Sequence, residues 1–378
     1  MDAPIGFNKP TLAGREFDYI AEALHRSHLS GNGHFTHRCQ EMLRERLGGG
    51  RVLLTHSGTA ALDMSAVLAG IDAGDEVIMP SFTFCSTANA VVLRSARPVF
   101  VDIRPDTLNI DENLIEAAIT PRTRAICAVH YAGVGAQMAR ILEIADRHGL
   151  VVIEDAAQAI NATWRGTPLG RFGAFAAFSF HETKNLISGE GGALVVNDPS
   201  ASERAEIVWE KGTNRAQFKR GEVDKYTWMD LGSSYLPSEI TAAFLLAQLE
   251  VAADFTTSRL RAWRRYHDGL ERLERSFGLR RPMIPADCGH NGHIYYVLAP
   301  SSSARDRIVE GMRARGIGAL THYVPLHSAP AGLRYGRCDG PLTVTDDVAA
   351  RLVRLPLHTF IEPDVQDRVM EELESLLE

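Results

Sequence analysis

Cysteine is scarce in this chain, five among 378 residues, and Cys39, Cys85, Cys127, Cys288 and Cys338 are widely spaced with no C-x-x-C pair. That pattern excludes a disulfide-stapled secreted scaffold and gives no sign of zinc or dithiol chemistry, so the reducing cytoplasm is the expected location. Residues 1–8 lack the basic and apolar regions of a secretory leader, and no later apolar run is long enough to cross a bilayer. A soluble protein without a membrane partner is expected. Positive charge is not in excess either: 40 basic against 47 acidic residues give a formal charge of -7. This disfavours nucleic acid as a partner and leaves local arginines free to hold a small phosphorylated molecule.

What is present is the ordinary stock of a globular enzyme, 45% hydrophobic and 23% charged residues, in a chain long enough for two or three folding units. Phe17, Ile20, Ala21 and Leu24 recur at helical spacing, and the polar stretch 27–33 that follows could cover a site. From Arg51 onward, short apolar runs alternate with helical segments: 52–54, 76–79, 98–101, 125–129, 151–153, 175–180 and 193–197. Such alternation predicts an α/β fold with a mainly parallel seven-stranded sheet covered by helices. After about Ala242 the texture changes to long helical stretches (242–249, 259–273, 304–315, 365–377) with one clear strand, 294–298. The expected division is a large domain over 1–250, its first 35 residues a helix and active-site loop, and a smaller C-terminal α/β domain over 251–378.

Three segments carry chemistry. The first strand runs into Thr55-His56-Ser57-Gly58-Thr59 and a helix begins at Ala60; backbone amides and two hydroxyls there suit a phosphate dianion. Taken alone, the same turn is an ordinary Ser/Thr helix cap. Strand 151–153 ends in Glu154-Asp155-Ala156-Ala157-Gln158, which puts an acid at the carboxyl edge of the sheet, where open α/β folds bind ligands. Alternation lets only one of the two acids face a ligand. Asp155 is the choice, able to keep a pyridinium nitrogen protonated, and helix capping is its competing reading. Next comes Ser179-Phe180-His181-Glu182-Thr183-Lys184-Asn185, followed by Gly189-Glu190-Gly191-Gly192. His181-Glu182 opens no zinc helix, because the position four after the histidine is Asn185, and no metal is expected. Lys184 by itself reads as a surface lysine; a Schiff-base lysine needs a site that favours its neutral amine.

The order of these pieces, together with Gly74-Asp75-Glu76-Val77-Ile78-Met79-Pro80, Val129-His130-Tyr131-Ala132-Gly133 and Leu355-Pro356-Leu357, resembles the DegT/DnrJ/EryC1/StrS sugar aminotransferase family over nearly the whole chain. The resemblance implies a fold-type-I, aspartate aminotransferase-like protein that uses pyridoxal 5'-phosphate, with pyridoxamine phosphate as the alternate form. Lys184 would carry the cofactor as a Schiff base, Asp155 would meet the ring nitrogen, Gln158 the ring hydroxyl and Phe84 the ring face, while Gly58, Thr59 and Ser179 would hold the phosphate. Members are homodimers with shared active sites. Where they place a phosphate-binding asparagine and an arginine from the partner chain, this sequence has Ser234 and Leu236, which leaves that contact open. Within the family the chain is most similar to 4-aminotransferases of dTDP-4-keto-6-deoxyglucose, through Glu210 to Arg215, Asp224 to Trp228 and His322 to His327. That implies transfer from L-glutamate to C4 of a dTDP-keto sugar, with Arg215, Arg220 and Lys225 as candidates for the diphosphate and His322 and Tyr323 beside the sugar. The family also includes a dehydratase branch, with histidine where this chain has Lys184, and non-catalytic regulatory relatives.

Overall fold

The computed structural model describes residues 3–378. All seven expected strands are present, as β1 (Arg51–Thr55), β2 (Glu76–Pro80), β3 (Arg97–Val101), β4 (Thr123–Val129), β5 (Val151–Asp155), β6 (Phe175–Ser179) and β7 (Gly192–Val196). Toward the C-terminus follow β8 (Tyr295–Leu298), β9 (Arg337–Cys338) and β10 (Leu352–Leu355). The main sheet has the order β1-β7-β6-β5-β4-β2-β3-β9. Only β7 runs against its neighbours; every other pairing is parallel. The eighth strand, two residues long, joins the edge beside β3, and a segment that short carries no period for sequence reading to detect.

Both faces of the sheet are covered, which is why its strands read as nearly unbroken apolar runs. Val52, Leu54, Ile78, Val99 and Ile126 belong to one buried cluster, and Leu53, Val77, Met79, Phe100 and Cys127 to the other. A separate core gathers Trp263, Tyr266, Tyr295, Val297, Ile308, Val353 and Leu373 around the antiparallel pair β8–β10. The sequence showed only β8 of that pair. Its partner β10 is four residues long and follows helix Thr343–Arg351 without a turn signal.

Two sequence expectations about helices are corrected. The helix over Glu16–His25 forms, but Phe17 is 72% exposed and Leu24 also faces out, while Glu16, Tyr19 and Ala23 are buried. Polar anchors set that face: Glu16 accepts from Ala13 N, Gly14 N and Gln248 Nε2, and Tyr19 Oη donates to Glu250 at 2.8 Å. The stretch 259–273 is divided between two helices, Ala252–Gly269 and Glu271–Phe277, broken at Leu270. Among the described residues, no single helix is long and apolar enough to cross a membrane.

Candidate active site

The carboxyl ends of β1, β2, β4, β5 and β6 open on one edge of the sheet, and with the segments that follow them they line a cavity of about 720 Å³ that also holds Lys184. Beyond β1, Ser57 caps the helix Gly58–Leu68, its Oγ accepting from Ala60 N at 3.1 Å. The cap reading therefore holds for Ser57, and Gly58 and Thr59 form the first turn behind it. Close approach requires glycine here. A Cβ on Gly58 would stand 2.8 Å from that of Ser179, and one on Gly192 would stand 2.4 Å from Ser57 O, so side chains would lift the turn off the ends of β6 and β7. Thr59 Oγ1 lies 2.8 Å from Ser86 Oγ in helix Cys85–Val92. Two helix N-termini and the hydroxyls of Thr59, Ser86 and Ser179 thus converge on one part of the cavity, an arrangement that attracts an anion.

Pleating separates the two acids at the end of β5. Asp155 lines the cavity with both oxygens engaged: Oδ2 accepts from Thr87 Oγ1 at 2.7 Å, Oδ1 from Ala157 N at 3.2 Å. Thr87 is in turn paired with Thr83 at 2.9 Å. Glu154, fully buried, accepts from Gly170 N, Phe172 N and Gly173 N, each at 2.7 Å, and lies 2.9 Å from His130 Nε2. It organises the turn before β6.

Lys184 follows β6 and keeps part of its surface on the cavity, yet protein atoms crowd its ammonium. Burial, helped by the positive charge of Arg354 and opposed by Asp155, pushes its pKa down to about 8. Phe84, just before helix Cys85–Val92, lines the same space with 57% of its surface exposed. Gln158 bridges two parts of the wall, its Oε1 accepting from Ala132 N and its Nε2 donating to Tyr323 Oη, both at 2.7 Å. Tyr323 stacks on His322 at 3.7 Å between centroids, and Tyr131 Oη bonds His322 Nδ1 at 2.7 Å. Burial pushes the hydroxyls of Tyr131 and Tyr323 up and the His322 imidazole well down.

Sequence reasoning missed Thr87 and Ser86, which support Asp155 and Thr59, and three cavity residues from the C-terminal half: Arg259, His293 and Arg354. No short motif marks them. In the other direction, Arg215, Arg220, Lys225 and Ser234 do not line this cavity. Buried Glu210, held by Asn32, draws Arg215 to 3.4 Å; Arg220 pairs with Glu206 and Glu222; Lys225 and Ser234, farther along the chain, stand exposed.

The donors fit pyridoxal phosphate: a lysine amine of depressed pKa for the aldehyde, a fixed carboxylate for the ring nitrogen, an open aromatic for the ring face and a two-helix cradle for the phosphate. Comparison with known proteins points the same way. GDP-perosamine synthase of Caulobacter vibrioides is 33% identical over 97% of both chains. The dTDP-4-dehydro-2,3,6-trideoxy-D-glucose 4-aminotransferase of Saccharopolyspora spinosa is 30% identical over 99% of this chain and 97% of its own. The crystal structure of S. venezuelae DesV in complex with a ketimine intermediate superposes with a TM-score of 0.90 at 31% identity, covering 100% of this chain and 99% of that one. The family model for DegT/DnrJ/EryC1/StrS aminotransferases matches residues 10–374, and the chain belongs to that family.

Proposed function

We propose that this protein transfers the amino group of L-glutamate to C4 of a nucleotide-linked 4-keto-6-deoxy sugar, with dTDP-4-keto-6-deoxyglucose as the first substrate to test. The observation that carries the reading is Lys184, its amine depressed to about 8, in one cavity with Asp155 and the Gly58-Thr59 cradle. When bound, pyridoxal phosphate supplies an aldehyde for the migrating amine and a protonated ring that accepts the electron pair released at the α-carbon. Gly58, Thr59, Ser86 and Ser179 would hold its phosphate, Phe84 would face the ring, and Asp155, oriented by Thr87, would keep the ring nitrogen protonated. Lys184 is the proton carrier. Burial lowers its pKa to about 8, which suits an amine that acts as base and then as acid near neutral pH. It takes the α-proton of L-glutamate in the first half-reaction and delivers a proton to C4 of the sugar in the second. Tyr323, tied to Gln158, and His322, neutral because it is buried, border the sugar.

The reading includes a homodimer in which each chain completes its partner's site, and the exposed Phe218, Tyr226, Trp228, Met229 and Leu231 near Ser234 support it, since surface this apolar seeks a partner. Five unpaired cysteines accord with a cytoplasmic setting. A dehydratase is disfavoured by lysine at 184, and a regulatory role by the completeness of the catalytic set. A GDP-linked sugar is the second reading, favoured by the Caulobacter relative. The holoenzyme should be yellow and bleached by L-glutamate, and dTDP-4-keto-6-deoxyglucose should restore the colour with release of an amino sugar whose C4 configuration NMR couplings report. Restoration by the GDP-linked counterpart alone would select the second reading; a protein that ignores L-glutamate is not this transaminase.

A further inference from the structure

The segment that carries His322 and Tyr323 is held at both ends. At its start, Leu320 and Arg354 of β10 exchange backbone hydrogen bonds at 3.1 and 2.7 Å. At its end, three contacts converge on Ser81, the residue that follows β2: Leu326 N donates to Ser81 O at 3.0 Å, His327 N donates to Ser81 Oγ at 3.0 Å, and His327 Nδ1 lies 2.8 Å from the same Oγ. His327 Nε2 lies 3.3 Å from Asp346 Oδ1 in helix Thr343–Arg351. A carboxylate only accepts, so in the neutral ring Nε2 carries the proton and Nδ1 accepts from the Ser81 hydroxyl.

Serine, histidine and aspartate in this order match the relay of a serine hydrolase. Neither Ser81 nor His327 lines the Lys184 cavity, however, and Ser81 is fully buried with its Oγ engaged twice by His327. No substrate carbonyl reaches that oxygen. What the relay holds is the wall beside it. Phe82, next in the chain, packs against Tyr131, Tyr323 and His322 with ring centroids 5.2, 5.5 and 6.1 Å away. Bonds from Tyr131 and Gln158 hold the tips of His322 and Tyr323, while Leu320 and His327 hold the backbone from which they project. Thr321 and Val324, between the two anchors, are exposed, so packing fixes little of that backbone.

Resting on the proposed transaminase reading, we infer that His327 is a positioning residue for the keto-sugar half-reaction: its clasp on Ser81 fixes where His322 and Tyr323 stand, and so how the sugar is presented to Lys184. The amino-donor half-reaction depends on it far less, because Lys184 and Asp155 follow β6 and β5, and Thr87 and Ala157 hold Asp155 without help from residues 320–327.

The test follows the two half-reactions separately: bleaching of the yellow holoenzyme by L-glutamate, and return of colour when enzyme loaded with pyridoxamine phosphate meets whichever keto sugar, dTDP- or GDP-linked, the unaltered enzyme accepts. In His327→Ala the saturating rate of colour return should fall about 10- to 100-fold, as for a misplaced reacting group, with bleaching by L-glutamate within about twofold. His327→Asn, whose amide oxygen reaches the place of Nδ1, should recover part of the loss. Ser81→Ala removes the same contacts from the other partner and should show the same selectivity, which keeps the test intact if His327→Ala does not fold. Equal losses in both half-reactions overturn the inference, as a purely structural role would produce them. So does an unchanged sugar half-reaction, or an asparagine variant no faster than the alanine one. Failure of the parent reading looks different: the unaltered holoenzyme would then not be bleached by L-glutamate at all.

Discussion

The two walls of the Lys184 cavity differ in how their polar groups are satisfied. On the sheet side, hydroxyls, amides and one carboxylate satisfy one another: Thr59 with Ser86, Thr83 with Thr87, Thr87 with Asp155. On the C-terminal side stand Arg259, His293, His322 and Arg354 and, among the described residues, no carboxylate. Burial and neighbouring cations push His293 and His322 well below the usual histidine range, so the arginines alone carry charge there. A pre-satisfied wall suits a resident cofactor, whose seat must exist before it binds. A wall with unspent donors suits molecules that come and go.

Removing Lys184, which stands between the walls, has the largest expected effect. Lys184→Ala should lower turnover with L-glutamate and keto sugar by about 10^4-fold or more, the top of the range for a lost acid-base group, with an unchanged circular dichroism spectrum. A purified variant that still converts keto sugar would remove Lys184 from the mechanism.

The next break is within the sheet wall, at two adjacent acids. Asp155→Asn should cost about 100- to 1000-fold in kcat, as for loss of a preorganised charge at the reacting group, with melting temperature little changed. Glu154→Gln should do the reverse. It disrupts a buried carboxylate with three backbone donors, and about 2 to 4 kcal/mol of stability should be lost while the affinity for pyridoxal phosphate stays near normal. Measuring kcat and Tm for both variants checks the pair; matching losses in both would erase the distinction between cavity face and core face.

The C-terminal wall should give a smaller response at Tyr323. Tyr323→Phe removes one hydrogen bond to Gln158 and leaves the ring stacked on His322, so the half-saturating keto sugar concentration should rise about tenfold or less. The L-glutamate half-reaction should be nearly untouched, and steady-state kinetics with each substrate varied in turn separates the two.

The walls also differ in how far they could be read from sequence. Ser57-Gly58-Thr59, Asp155 and Lys184 each follow an apolar strand of recognisable length, and the carboxyl edge of a parallel sheet gathers them however far apart they lie in the chain. Arg354 sits in a four-residue strand directly after a helix, and Arg259 in the middle of a long amphipathic helix, where arginine reads as solvated charge. Their approach to Lys184 depends on how the C-terminal core docks on the sheet, and no local period encodes that. The outward turn of Phe17 and Leu24 has a similar cause. Polar partners of Glu16 and Tyr19, more than 200 residues away in buried Gln248 and in Glu250, decide which face of that helix goes in.

The smallest expected effect reads both walls at once, through the amine between them. In apoprotein the Lys184 amine reacts only when neutral, so reductive methylation, followed site by site with mass spectrometry, should speed up about tenfold per pH unit and level off near pH 8. An unshifted lysine would keep accelerating to about 10.4. Burial disfavours the ammonium and lowers the midpoint, the negative Asp155 favours the ammonium and raises it, and the positive Arg354 lowers it. Asp155→Asn should therefore move the midpoint down and Arg354→Gln should move it up, each by less than about one pH unit because the cavity is open to solvent. Shifts of the same sign in both variants would mean that the amine senses general loosening of the cavity and not the opposed charges of its two walls.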